Sequence, residues 1–304
     1  MARTKGFKCE MGFIIFAREV IRQQTFLRKV CTAERYTTVV NSFGRFLGGR
    51  DVLLGEVNSE LMEGYENYLK SAGVCPNTSS FYMRGLRAIY NRAVEKGLVE
   101  QRSPFRHVYT GVDKTVKRAV TIETIRLIRD MELKSHPLED FARDMFMFSF
   151  YMRGMSFVDM AFLKKDDLRN GVLSYRRRKT GQRLFIRWEV PMQAIIDKYD
   201  TSGTAYLLPI IRDGEADPLR QYRSSIHLVN AKLREMGRAL GLDAPLTSYV
   251  ARHSWASIAK SKEIPLSTIS EAMGHDSEKT TRIYLDSLDT LIVDRANSII
   301  INSL

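Results

Sequence analysis

Cysteine is scarce in this chain of 304 residues: Cys9, Cys31 and Cys75 are the only three, and their spacing matches no metal-ligand pattern. An odd number cannot complete a disulfide framework, so a disulfide-stapled fold is excluded and reduced thiols are expected. Long apolar runs are missing too. The patch GFIIFA at residues 12–17 is too short to span a bilayer, and no small-residue cleavage site follows it. No membrane or targeting segment is read, and a cytoplasmic protein is expected. Acidic residues are in deficit, 35 Asp and Glu against 47 Lys and Arg, for a formal net charge of +12. Such an excess calls for a polyanionic partner, because clustered Lys and Arg gain affinity by releasing counterions from phosphates. Charge alone does not separate nucleic acid from a membrane surface.

What is present suffices for two cores: 44% of the residues are hydrophobic, and the length favours two domains. Four helices are predicted in the first hundred residues. Phe13, Phe16, Val20, Phe26 and Leu27 follow helical spacing, and a second helix runs from Thr32 to Leu47, where Gly48 and Gly49 stop it. A third opens at Ser59 with Leu61, Tyr65, Tyr68 and Leu69 on one face. A fourth, capped by Asn77 or Thr78 and ending near Gly97, carries Tyr82, Arg84, Arg87, Tyr90 and Arg92. A basic face beside an aromatic one suits a DNA groove and its backbone, and equally suits a solvated face over a core stripe. Periodicity lapses between Glu100 and Arg118 in QRSPFRHVYTGVDKTVKR, read as a basic interdomain linker over residues 101–118.

A second domain, residues 119–304, begins with a helix capped by Thr121 and an apolar helix from Leu138 to Tyr151. From Gly171 to Arg177 the chain alternates Val172, Ser174 and Arg176 with Leu173, Tyr175 and Arg177, then turns at Lys179-Thr180-Gly181-Gln182 and returns as RLFIRWEV. This is a β-hairpin. Its Arg176, Arg177 and Arg178 are read as facing DNA. Further on, Tyr249 and Arg252 lie three apart on one helical face, and Pro265 opens a helix that Gly274 ends, so His275 sits at a helix terminus. Asp276 or Ser277 caps a last short helix carrying Tyr284, nine residues beyond His275. Apolar positions from Leu288 to Ile300 describe an amphipathic tail.

In the order and spacing of YVARHSW and MGHDSEKTTRIY, the chain resembles the tyrosine recombinase, or phage-integrase, family. The resemblance implies a mainly α fold with a small β-hairpin: a four-helix, SAM-like core-binding domain over residues 1–100 and a mixed α+β catalytic domain. It also implies roles. Arg252 would contact the scissile phosphate, His275 would donate to it, Tyr284 would attack it, and Lys179 on the hairpin would protonate the leaving 5′ oxygen. Two positions depart from the pattern. In RGMSFVDMAFLKKDDL, Ser156 occupies the place of the first catalytic Arg, and Arg153, three residues earlier, is the candidate replacement, with Arg143 a second. Tyr249 stands where the family has a His, and a phenol with a pKa near 10 suits hydrogen bonding better than proton abstraction. The implied activity is metal-independent strand cleavage and rejoining through a 3′-phosphotyrosine, without a cofactor. The implied partner is double-stranded DNA, bound by a homotetramer on paired sites with accessory DNA-bending proteins; away from DNA the chain is expected as a monomer. A regulator that binds DNA on the same scaffold without cleaving it is the alternative.

Overall fold

The computed structural model describes residues 10–113, 118–212 and 214–275, together with 281 and 301. The expected helix carrying Tyr284 and the amphipathic tail lie outside those residues. The chain divides into two compact units, residues 1–115 and 116–304.

The first unit is built on α1 (Phe13–Phe26), α2 (Val30–Phe46), α3 (Ser59–Ser71) and α4 (Pro76–Glu95). α1 follows Gly12, which has no side chain to cap it, so the first free N–H groups of α1 turn elsewhere. Asp51 supplies the acceptors, Oδ1 to Ile14 N–H at 2.8 Å and Oδ2 to Ile15 N–H at 3.1 Å, and places an anion at the positive end of the helix. Asn58, rather than Ser59, caps α3 through Leu61 N–H at 2.9 Å. Pro76 occupies the first turn of α4, where its missing N–H costs nothing. Phe13, Phe16, Phe43, Met62, Tyr65, Leu86 and Tyr90 form the core, and each contributes about 1.5–3 kcal/mol by leaving water. The Tyr65 hydroxyl donates to Ser42 Oγ at 2.8 Å, and burial pushes its pKa up to about 12. Residues 101–113 pack on this core through Phe105 and Val108, and Glu66 of α3 accepts from Tyr109 N–H at 2.7 Å.

The second unit centres on α6 (Pro137–Tyr151), whose Phe141, Met145, Phe146 and Phe148 are buried between α9 (Pro218–Ala239) and α10 (Ser248–Ser261). Around it lie α5 (Ile122–Arg129), capped by Thr121 as its sequence indicates, α7 (Phe157–Ala161), α8 (Val190–Ile196) and α11 (Leu266–Ala272). The hairpin pairs β2 (Val172–Arg176) with β3 (Arg183–Arg187), Tyr175 opposite Leu184 and Leu173 opposite Ile186. A two-residue strand β1 (Leu168–Arg169), not foreseen from sequence, extends it to an antiparallel sheet of order β1-β2-β3. Leu173, Tyr175, Leu184 and Ile186 point into the core. Among the described residues no helix is long and apolar enough to cross a membrane.

Candidate active site

α10 presents small residues inward, Ala251, Ser254, Ala256 and Ala259, and one long one, Arg252. Arg252 is only 4% exposed, and a buried guanidinium has to be met by acceptors. Its Nη1 donates to the Gly154 carbonyl at 2.8 Å; its Nη2 donates to the Met273 carbonyl at 2.8 Å and to His275 Nε2 at 2.9 Å. Gly154 can come this close because it lacks a side chain. A Cβ there would sit 2.6 Å from Arg252 Cα, and its φ of +72° follows a φ of +58° at Arg153, a left-handed pair that ends the turn after α6.

The end of α11 explains the other acceptors. Gly274 adopts φ +63°, Gly274 N–H donates to the Glu271 carbonyl at 2.9 Å, and His275 N–H donates to the Ser270 carbonyl at 3.0 Å. This left-handed closure satisfies those two carbonyls and leaves the carbonyls of Met273 and Gly274 to be met by side chains of the site. Arg252 takes the first and Arg177 Nη1 takes the second. Two guanidiniums thus meet on adjacent carbonyls at the negative end of a helix, directly before His275.

Arg177 reaches this point from the hairpin. Its N–H donates to the Gln182 carbonyl at 2.8 Å and its carbonyl accepts from Gly181 N–H at 2.7 Å, closing the turn that carries exposed Lys179. Asp159, buried in α7, anchors the same turn: Oδ1 accepts from Arg178 N–H at 2.8 Å, while Oδ2 accepts from Ser156 Oγ at 2.6 Å. Ser156 also caps α7, which is a physical reason for a small hydroxyl at that position. Burial, followed by the charges of Arg252, Arg177 and Lys179, brings the His275 pKa down to about 4. Burial and the Asp159 charge raise that of Tyr175, against the lowering pull of Arg177, Arg252 and Arg153.

Compared with known proteins, residues 126–290 match the phage integrase family, and residues 12–108 match the phage integrase SAM-like domain. The chain belongs to the phage integrase family. The tyrosine recombinase XerA of Saccharolobus solfataricus is 25% identical over 126 residues, 41% of this chain, and the match spans 38% of that relative. Solved integrase structures share the fold. A lambda integrase dimer bound to a COC′ core site aligns at a TM-score of 0.66 and 16% identity, over 91% of this chain and 78% of that one. A lambda integrase tetramer bound to a Holliday junction aligns at 0.65 and 17%, over 88% and 76%. The Tn1549 transposon integrase in complex with transposon right end DNA aligns at 0.66 and 14%, over 94% and 100%.

On this integrase fold the residues singled out by sequence take different places. Arg252, His275 and the turn bearing Lys179 come together. Tyr284 lies outside the described residues. Arg153 is half-buried, and its charge is felt at Tyr175. Arg143 has partners elsewhere: Nη1 donates to the Met131 carbonyl at 2.7 Å, and the guanidinium pairs with Asp140 and Asp144. Tyr249 is 50% exposed, edge-on to the His253 ring at 4.8 Å. Of the hairpin arginines, Arg176 is exposed and Arg178 stacks on the Phe162 ring at 4.0 Å. Arg177, at 7% exposed, does not face outward as its run of basic neighbours suggests. A signal for this was available: Arg177 continues the inward alternation of Leu173 and Tyr175. In the first unit Arg84 and Arg87 are exposed, whereas Arg92 lies over the Tyr36 ring at 5.9 Å.

Proposed function

We propose that this integrase cleaves and rejoins DNA strands by attack of the Tyr284 hydroxyl on a phosphodiester, forming a 3′-phosphotyrosine and releasing a 5′ oxygen that Lys179 protonates. The observation that carries the reading is the convergence of two buried guanidiniums, Arg252 and Arg177, on the carbonyls of Met273 and Gly274 beside His275. Negative charge grows on the non-bridging oxygens of a pentacovalent phosphorus. Preorganised Arg forks stabilise that charge at little reorganisation cost. Arg177 supplies the second cation in place of the first catalytic arginine, whose position Ser156 occupies: it is buried against the helix end that leads into His275, while Arg153 is half-buried with a left-handed φ of +58°. The tyrosyl ester conserves the phosphodiester bond energy for a second strand to reclaim, so rejoining needs no added energy source.

Domain roles follow from the same reading. Residues 1–100 bind the duplex through the exposed Arg84 and Arg87 of α4, with Arg92 beside them, while Arg176 and Arg178 touch the backbone near the cleavage point. The lambda relative assembled as a tetramer on a Holliday junction supports a homotetramer on paired sites here. The test is a nicked suicide duplex carrying the flanking DNA of the gene, incubated with EDTA. A denaturation-resistant protein–DNA band is expected, absent in Tyr284→Phe. Salt-sensitive binding with no such band would favour a non-cleaving DNA-binding regulator.

A further inference from the structure

The guanidinium of Arg252 can only donate, so its 2.9 Å contact with His275 Nε2 makes that nitrogen an acceptor. The proton of the neutral ring is then on Nδ1, 2.7 Å from the Oγ1 of Thr281, which is completely buried. A charged ring could not accept from Arg252, and burial together with Arg252, Arg177 and Lys179 disfavours it. The selection is therefore between two neutral tautomers. A hydroxyl serves both: it accepts from Nδ1–H, or rotates about its C–O bond and donates to bare Nδ1, leaving the proton on Nε2 where it can reach a phosphate oxygen.

We propose that Thr281 is a positioning residue that supports either neutral tautomer of His275, accepting from Nδ1–H while Arg252 holds Nε2 and donating to bare Nδ1 when a phosphate draws that guanidinium away. The change releases one proton from Nδ1 to water and takes one from water at Nε2, so the net charge of the site is constant. The second half of this proposal rests on the phosphate role given to His275 above; the first half does not.

The experiment is ¹⁵N-histidine NMR of the full chain at pH 7, with Thr281→Val and Thr281→Ser beside the unchanged protein. The unchanged protein should show protonated Nδ1 and bare Nε2, and Thr281→Ser should keep that pattern. Thr281→Val, isosteric but without the hydroxyl, leaves Nδ1 without this partner in either tautomer and should shift the Nδ1 resonance from its position in the unchanged protein. On the suicide duplex, Thr281→Val should slow covalent capture about tenfold or more at unchanged DNA affinity, and Thr281→Ser should restore most of it. Protonated Nε2 in the unchanged protein, or a Thr281→Val spectrum identical to it, would overturn the assignment. If the unchanged protein forms no covalent adduct, the strand-cleavage reading fails, and the spectra still decide the role of Thr281.

Discussion

The Nη2 of Arg252 lies 2.9 Å from His275 Nε2 and 2.8 Å from the Met273 carbonyl, so one nitrogen holds both the imidazole and the end of the helix that presents it. Arginine and histidine are 23 residues apart in sequence, yet they meet directly. A phosphate that engages the guanidinium acts on the ring as well.

That coupling has a pH signature. His275 has a folded pKa of about 4 against 6.5 for an unperturbed histidine, so the folded chain holds this proton more weakly than the unfolded chain. The stabilisation is complete above pH 6.5 and is lost as pH falls from there toward 4, to a total of about 1–2 kcal/mol after solvent screening. Urea midpoints at pH 7 and pH 4.5 check it. The unchanged protein should lose about 1–2 kcal/mol more than His275→Gln on acidification; equal losses would contradict the assignment.

Arg177 and Arg153, as replacements for the catalytic arginine expected at Ser156, separate kinetically. Arg177→Lys keeps a charge but loses the fork, and should lower the rate of covalent capture by about 10²–10³ with DNA affinity within a few-fold. Arg153→Ala should cost less than about tenfold. Single-turnover cleavage of the suicide duplex reads both, and the reverse ranking would return the role to Arg153.

Gly154→Ala tests the close approach beneath Arg252. The new Cβ would sit 2.6 Å from a backbone atom at a φ of +72°, and neither conflict has a flexible side chain to relieve it. A loss of about 2–4 kcal/mol in denaturant unfolding is expected, from overpacking and left-handed strain together.

Arg143 should behave as a structural residue. Asp144, 4% exposed, is met by Arg143, by Lys198 and by the Tyr199 hydroxyl, which donates at 2.8 Å. Arg143→Met leaves that carboxylate with one partner fewer, at a cost of about 2–4 kcal/mol. Cleavage per folded molecule, measured below the melting temperature, should be unchanged.

Most of the helical framework was legible in the sequence because apolar spacing and punctuation agreed: Thr121 caps α5 and Gly274 ends α11 in the left-handed form. The structure departs from the local pattern where two rules compete. Asn58 and Ser59 both cap well, and the choice between them depends on which backbone N–H each can reach. Tyr68 fits the inward face of α3 by spacing but is 41% exposed, while Met62 fills the core. The site was harder. Arg252 and His275 declared themselves through order and spacing, whereas Arg177 sits within a basic run that reads as solvated. Only tertiary packing shows that the helix end beside His275 offers a carbonyl to receive it. Thr281 carries no signal in the sequence, since a lone hydroxyl has no signature until a ring nitrogen is found beside it.

The most direct test of strand cleavage is the identity of the residue joined to DNA. After capture on a suicide duplex in EDTA, nuclease trimming and peptide mass spectrometry should find a nucleotide on the peptide containing Tyr284, and Tyr284→Phe should abolish it while binding the duplex normally. An adduct on any other residue, or one that persists in Tyr284→Phe, would contradict the proposed chemistry.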